Sequence, residues 1–323
     1  MRAVVVEKGR PAALQQVDRA FLGQGDVVVD VAWSSLNYKD GMALSGDPGI
    51  VRTSPLVPGI DLVGTVAESS SPDWSPGDQV LLNGAGIGEG RHGGYAEQAV
   101  VDAASLVAVP PGISPRQAAA VGTAGFTAML SVLRLERDVR PGDGDVVVTG
   151  AAGGVGSVAI ALLSGLGYSV TASSGRADEQ RDYLTRLGAA DVIDRGELDQ
   201  PGRPVQSARW AGGVDSVGSH TLATVLAQTA WGGTVTACGL AQGSDLPTTV
   251  LPFVLRGISL VGVNSVDAPV ELRREAWRRL AADLDLGLLD ELTTEVALAD
   301  VVDHGPQIVA GSVRGRIVVD VRR

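Results

Sequence analysis

The sequence predicts an α/β chain: a doubly wound parallel sheet set behind a β-rich, barrel-like domain. Three observations carry this. Up to about residue 120, short β-branched runs alternate with Pro and Gly turns. From Pro115 onward apolar strands alternate with helical stretches, which implies right-handed crossovers and a parallel sheet. The length of 323 residues suits two domains of about 100–200 residues each. A chain of this size buries about three quarters of the surface it exposes when unfolded, enough for a core without staples.

In chain order, Ala3–Val6, Val27–Val31, Leu62–Val66 and Gln79–Leu82 read as strands. Turns at Val57-Pro58-Gly59, Ser75-Pro76-Gly77-Asp78 and Pro110-Pro111-Gly112 separate them, because proline fixes φ and glycine accepts positive φ. A long helix is expected from Pro115 to Glu136. Strand Asp145–Thr149, helix Gly156–Leu166 and strand Tyr168–Ala172 follow, then helix Asp178–Leu187 and strand Ala190–Ile193. Strand Val214–Val217, helix Thr221–Thr229 and strand Gly233–Cys238 continue the alternation. The tail reads as strand Ile258–Val263, helices Val270–Leu284 and Leu298–Ala310, and strand Arg316–Val321. That last strand is too remote to extend the parallel sheet and is expected to complete the first domain. The division is therefore 1–121 with 262–323 around an inserted 122–261.

Composition narrows the function. Hydrophobic residues make up 45% and charged residues 20%, ordinary for a globular chain. The formal charge of −11 argues against nucleic acid, which needs a dense basic face. No basic amphipathic stretch points to a membrane surface. The single cysteine, Cys238, excludes an intramolecular disulfide and multi-cysteine zinc or iron–sulfur sites; on its apolar strand it reads as a small core residue. Only Lys8 and Lys39 are lysines, which draws attention to Lys39 in a polar segment. The start, MRAVVVEKGRP, has too short an apolar run for a cleavable signal. The uncharged run Val146–Gly175 is long enough to raise the transmembrane question, but glycines interrupt it throughout. A soluble, cytoplasmic protein is the expectation.

Asp145–Thr149 runs into Gly150-Ala151-Ala152-Gly153-Gly154-Val155-Gly156, with Ala151 at the first position of a G-x-G-x-x-G pattern and Gly153 and Gly156 at the others. Following a strand and opening a helix, this is the context of a Rossmann dinucleotide site. The backbone of Ala152, Gly153, Gly154 and Val155 is expected at the pyrophosphate, on the electropositive helix start. An NAD site places Asp or Glu at the end of the next strand. Here Ser173-Ser174-Gly175-Arg176 stands there, with hydroxyls and a guanidinium suited to a 2′-phosphate. Ser174, Gly175 and Arg176 thus point to NADPH, although Arg176 also fits a solvated turn. Asp178 and Glu179 fit the first turn of the next helix.

Further strings resemble the medium-chain dehydrogenase/reductase family: Pro58-Gly59-Ile60-Asp61-Leu62-Val63-Gly64, Gly93-Gly94-Tyr95-Ala96-Glu97, and Gly122-Thr123-Ala124-Gly125-Phe126-Thr127-Ala128. The resemblance implies a GroES-like barrel domain joined to the Rossmann domain. Zinc-dependent members carry an early cysteine and a histidine where this chain has Ile60, and the lobe of four cysteines is missing. His92, His220 and His304 lack ligand spacing and read as solvated or capping residues. No metal is expected. Within the zinc-free branch, Trp33–Asp40, Val80–Asn83 with Gly86–Glu89, Cys238–Ala241 and Leu246–Phe253 resemble the bacterial acryloyl-CoA reductase group, end to end.

That resemblance implies hydride delivery from NADPH to the β-carbon of an unsaturated CoA thioester, which needs a donor for the developing enolate oxygen and a proton source. The 34–40 loop supplies Asn37, Tyr38 and Lys39 as catalytic candidates, Tyr38 also facing the nicotinamide. Blander roles compete: a turn for Asn37, a barrel-face aromatic for Tyr38, and pairing with Asp40 or Asp61 for Lys39. Thr127 is a cofactor hydrogen-bonding candidate or a helix back-bonder. Leu240, Val263 and Asn264 lie at strand ends where the nicotinamide rests in this architecture, and Arg316 is a candidate for a cofactor phosphate. Arg52, Arg91 and Arg256 are candidates for the CoA phosphates that sequence cannot place. Competing functions are an NADPH:quinone reductase and a non-catalytic NADPH-binding sensor. The family's dimers, and the strands Thr234–Cys238 and Ile258–Val263 as an open edge, imply a homodimer.

Overall fold

The computed structural model describes residues 1–8 and 10–323. Its strands are β1 (Arg2–Val5), β2 (Ala13–Gln16), β3 (Val27–Leu36), β4 (Asp61–Ser69), β5 (Gln79–Asn83), β6 (Gln98–Val101), β7 (Val107–Ala108), β8 (Asp145–Thr149), β9 (Val170–Ser174), β10 (Asp191–Asp194), β11 (Trp210–Asp215), β12 (Thr229–Ala237), β13 (Ser259–Gly262), β14 (Thr293–Ala297) and β15 (Arg316–Asp320). Its helices are α1 (Tyr38–Leu44), α2 (Pro115–Leu135), α3 (Gly154–Gly165), α4 (Ala177–Arg186), α5 (Ser219–Gln228), α6 (Leu251–Arg256), α7 (Val270–Asp283), α8 (Leu286–Glu291) and α9 (Val301–Val309).

The chain divides into two compact units. The first comprises Met1–Phe126, Ser265–Ala281 and Leu289–Arg323. Its main sheet runs β14-β15-β3-β4-β5-β7, with β6 also paired to β3. The C-terminal strand β15 lies antiparallel to β3 and parallel to β14. Val4, Val29, Leu62, Val80, Leu82, Tyr95 and Val319 are among the fully buried residues of its core. The second unit comprises Thr127–Asn264 and Ala282–Leu288. Its six parallel strands take the order β10-β9-β8-β11-β12-β13. Numbered from β8, this is the order 3-2-1-4-5-6 of a Rossmann sheet.

The unit boundaries differ from the expected 121/122 and 261/262 for a local reason. The α2 helix breaks at Gly122, which takes φ 47° and ψ −160°. A Cβ there would meet Asp61 Oδ2 at 2.6 Å and Ser35 Oγ at 2.8 Å. The break turns the Thr123 backbone N–H onto Asp61, so Gly122–Phe126 stay with the first unit. Val263 N–H, in turn, bonds Ala237 at the end of β12, which keeps the exit of β13 with the second unit. Among the described residues, helix α2 and not the 146–175 run is the element long and apolar enough to cross a membrane; nine-tenths of that stretch is buried inside the protein.

Two local expectations are corrected. The segment 34–40 is not a loop but the end of β3 and the first turn of α1. Strand β11 runs Trp210–Asp215 rather than Val214–Val217. Its Gly212 and Gly213 hide the strand pattern, yet Gly212 is needed where Thr234 O would lie 2.7 Å from a Cβ.

Candidate active site

In open α/β sheets ligands bind outside the carboxyl ends of the strands, where the strand order reverses. Here that reversal lies between β8 and β11. Buried Asp215 ends β11 and organises it: its carboxylate accepts from Thr149 Oγ1 at 2.7 Å and from Gly218 N–H at 2.8 Å. Burial raises this carboxyl above its ordinary range, against those hydrogen bonds. Beside it the chain turns at Gly150 and enters α3 at Gly154. No side chain caps α3, so its first amides stay available to an anion. A Cβ on Gly156 would come within 2.5 Å of Gly150 O, so only glycine lets the helix close on the turn. Ala152 is buried, Gly153 is exposed, and Gly154 and Val155 are half-buried. This is a cradle that fits a diphosphate.

Ser174 ends β9 one strand over, and Gly175 follows it. Ser174 Oγ accepts from Arg176 N–H at 3.2 Å, and Ser173 Oγ is buried without a partner among the described residues. Asp178 and Glu179 are exposed in the first turn of α4. The sequence reading missed Arg195. The β9–β10 register sets Asp194 beside Ser174, so Arg195 lies along Gly175, where a Cβ would stand 2.9 Å from its Nε. Two guanidinium-bearing residues thus flank Ser174-Gly175, and no carboxylate ends β9. The signal was available only to a reader who knew that the third strand ends next to the second.

Of the other cofactor candidates, Thr127 is buried on α2, where its carbonyl accepts from Ser131 Oγ at 3.0 Å. Leu240 is exposed after β12, and Val263 and Asn264 follow β13, at the same carboxyl edge of the sheet. Asn37, Tyr38, Lys39 and Arg316 belong to the first unit.

There the structure corrects three expectations. Asn37 does not face a ligand. It is buried as the N-cap of α1, and its Nδ2 contacts Asp61 Oδ2 at 2.8 Å, Asp40 Oδ2 at 3.0 Å and Ser35 Oγ at 3.1 Å. Arg316 does not reach a cofactor phosphate: 2% exposed, it donates to Ala120 O at 2.6 Å and Asn37 Oδ1 at 3.2 Å. Lys39 pairs with neither Asp40 nor Asp61 but with Glu89, at 2.8 Å. Tyr38, at the first position of α1, is 48% exposed.

These contacts belong to a buried cluster that sequence reading did not see. Asp61 accepts from Ser35 Oγ at 2.5 Å, Asn83 Nδ2 at 2.7 Å and Thr123 Oγ1 at 2.6 Å, besides Asn37 and the Thr123 amide. Asp40 accepts from the Asn37 and Ile60 amides at 2.8 and 2.9 Å. Tyr95 Oη donates to Ser35 O at 3.0 Å. Burial, and then the neighbouring Asp61, push the Asp40 carboxyl up to about 7. Burial likewise raises the Tyr95 phenol and lowers the Arg316 guanidinium. Two carboxylates face one guanidinium, so the cluster holds Asn37 and the start of α1 rigidly and leaves Tyr38 as the outward group.

The remaining candidates sort by their partners. Arg91 pairs with Asp102, one contact at 2.8 Å. Arg256 donates to the carbonyls of Ala227, Thr229 and Gln206. Arg52 is 68% exposed, with Glu89 at 3.5 Å. Burial beside Asp215 pushes the Cys238 thiol up to about 12, an unreactive thiol. His92 Nδ1 accepts from Val57 N–H at 3.0 Å rather than facing solvent, and burial lowers its imidazole.

Two family profiles match: the alcohol dehydrogenase GroES-like domain over residues 23–111, and the zinc-binding dehydrogenase over 154–284. "Acrylyl-CoA reductase AcuI" of Ruegeria pomeroyi is 48% identical, covering 99% of this chain and 98% of that protein. The chain belongs to the medium-chain dehydrogenase/reductase family. "Probable acrylyl-CoA reductase AcuI" of Escherichia coli is 49% identical over 99% of this chain and 100% of its own length. The crystal structure of the Salmonella enterica oxidoreductase yhdH, in complex with NADP, superposes with a TM-score of 0.97 at 49% identity, covering 99% of both chains. Among the described residues, no three of His, Cys, Asp or Glu in this family member gather to hold a metal ion.

Proposed function

We propose that this chain is an NADPH-dependent reductase of the C=C bond of an α,β-unsaturated acyl-CoA, converting acryloyl-CoA to propanoyl-CoA. The observation that carries the cofactor is the pair Arg176 and Arg195 around Ser174-Gly175, suited to a 2′-phosphate by charge-assisted bonding. The uncapped start of α3, from Gly153 to Val155, suits the diphosphate. End-to-end likeness to two acrylyl-CoA reductases supports the acceptor.

Bound NADPH supplies a hydride for the β-carbon of the thioester. Negative charge then gathers on the thioester oxygen, and the α-carbon takes up a proton from solvent water. Tyr38, outward at the start of α1, is the donor assigned to that oxygen. Asn37 acts through it as a positioning residue, and Lys39 adds positive potential alongside. Tyr38→Phe lowers kcat by about 10²–10³-fold, the usual cost of one oxyanion donor. Turnover near the parental value would remove Tyr38 from the reaction.

The test of the reading is NADPH oxidation with acryloyl-CoA and with p-benzoquinone, each compared with NADH. High kcat/KM for acryloyl-CoA with NADPH supports it. Preference for the quinone makes the chain a quinone reductase. Binding of NADPH with no turnover of either makes it a sensor.

The chain is proposed to act as a homodimer. Strand β13 is a sheet edge, and Trp231, Val250, Val254 and Leu255 around it are 61–82% exposed. An open edge bordered by apolar side chains invites a second copy of itself. Light scattering at micromolar concentration gives a dimer, and Val254→Asp with Trp231→Glu gives a monomer; a monomeric parent chain overturns the proposal.

A further inference from the structure

Two cations share one buried carboxylate beside Tyr38. Glu89 is 3% exposed, yet one of its oxygens takes Lys39 Nζ at 2.8 Å and the other faces Arg52 Nη2 at 3.5 Å. One carboxylate neutralises one cation, so the trio keeps an excess positive charge. It does so in a protein of net charge −11, where an anionic ligand is repelled unless a local field opposes the global one.

The arrangement is built rather than incidental. The Arg52 amide donates to the Glu89 carbonyl at 2.9 Å, which ties the segment after α1 to the turn that carries Glu89. Lys39 is fixed in the first turn of α1, next to Tyr38. Arg52 itself is largely exposed, and its long approach to Glu89 leaves most of its five N–H donors directed to solvent. Arg91 and Arg256 are already engaged, Arg91 by the Asp102 carboxylate and Arg256 by three backbone carbonyls. Glu89 thus balances one of the two cations, and the exposed Arg52 keeps donors for one further anion.

We infer that Arg52, held beside Lys39 by Glu89, is the subsite for the phosphates of the CoA thioester. This rests on the acyl-CoA reading above. Recognition there is electrostatic and exposed, so it is worth less at high salt.

The experiment compares acryloyl-CoA with acryloyl-pantetheine, the same thioester without phosphates, on the parent enzyme, Arg52→Glu, and Arg19→Glu. Arg19 is a solvent-exposed residue paired with Glu68, so its variant matches the change in net charge away from the trio. Arg52→Glu raises KM for acryloyl-CoA by about 10–100-fold, the range of a lost charge-assisted contact. The ratio of its kcat/KM values for the two thioesters collapses toward one, the NADPH KM stays at the parental value, and Arg19→Glu keeps the parental ratio. The inference is overturned if Arg52→Glu affects both thioesters equally or neither, if Arg19→Glu does the same as Arg52→Glu, or if the NADPH KM moves instead. A parent enzyme that reduces neither thioester would sink the acyl-CoA reading itself, a different result from a parent that reduces acryloyl-CoA with no role for Arg52.

Discussion

Replacing Arg176 and Arg195 together by alanine raises the KM for NADPH by about 10²–10³-fold, since each charge-assisted contact to a phosphate is worth roughly 1.5–3 kcal/mol. The KM for NADH, which lacks the 2′-phosphate, stays near its parental value, so preference between the cofactors is lost rather than affinity for both. Each single variant gives a smaller loss, and the two losses do not sum, because both side chains serve one group. Arg195 lies along Gly175 with its guanidinium beside the end of β9, and Arg176 follows directly in the chain. Equal losses for NADPH and NADH would instead make the two arginines structural. Steady-state kinetics with both cofactors at two salt concentrations decides it, since the 2′-phosphate contribution weakens with ionic strength.

The second large effect is on stability against pH. Asp40 is fully buried, faced by Asp61, Tyr95 and Arg316, and its carboxyl titrates at about 7 against 3.8 for an ordinary one. Between those values the folded chain holds a proton that the unfolded chain has released. Stability therefore falls as pH rises, by about 1.4 kcal/mol per pH unit and about 4 kcal/mol across the window. Asp40→Asn carries no charge at any pH and removes this slope. It also brings a constant offset, because its amide must turn an N–H toward the Asn37 or Ile60 amides that now donate to the carboxylate. Urea unfolding from about pH 4 to 8 measures both. The stability of the parent relative to the variant falls steadily with pH; a difference that stays constant means that Asp40 is ionised throughout the range.

Much of this was legible before any coordinates. Strand Asp145–Thr149 falls where alternation and the following glycines put it, since a buried parallel strand reads as an unbroken apolar run. The return of the last strand to the first unit followed from its distance along the chain from the parallel sheet. The segment 37–39 was harder. Asn37, Tyr38 and Lys39 are adjacent and all polar, and as a loop they look equally free to meet a ligand. Folded, they diverge: one is buried as a helix cap, one faces outward, and one is drawn to Glu89, fifty positions away.

The sequence by itself determined the order of elements, the nucleotide turn and the family, because these rest on local periodicity and on residues close together in the chain. Only the tertiary structure decided that Arg195 stands beside Gly175, that Glu89 gathers Lys39 and Arg52, and that Arg316 is spent on Asn37 and the Ala120 carbonyl. Strand register and the helix break at Gly122 bring those partners together. A charged side chain's role depends on which opposite charge or carbonyl it meets across that distance, and no local pattern encodes the meeting.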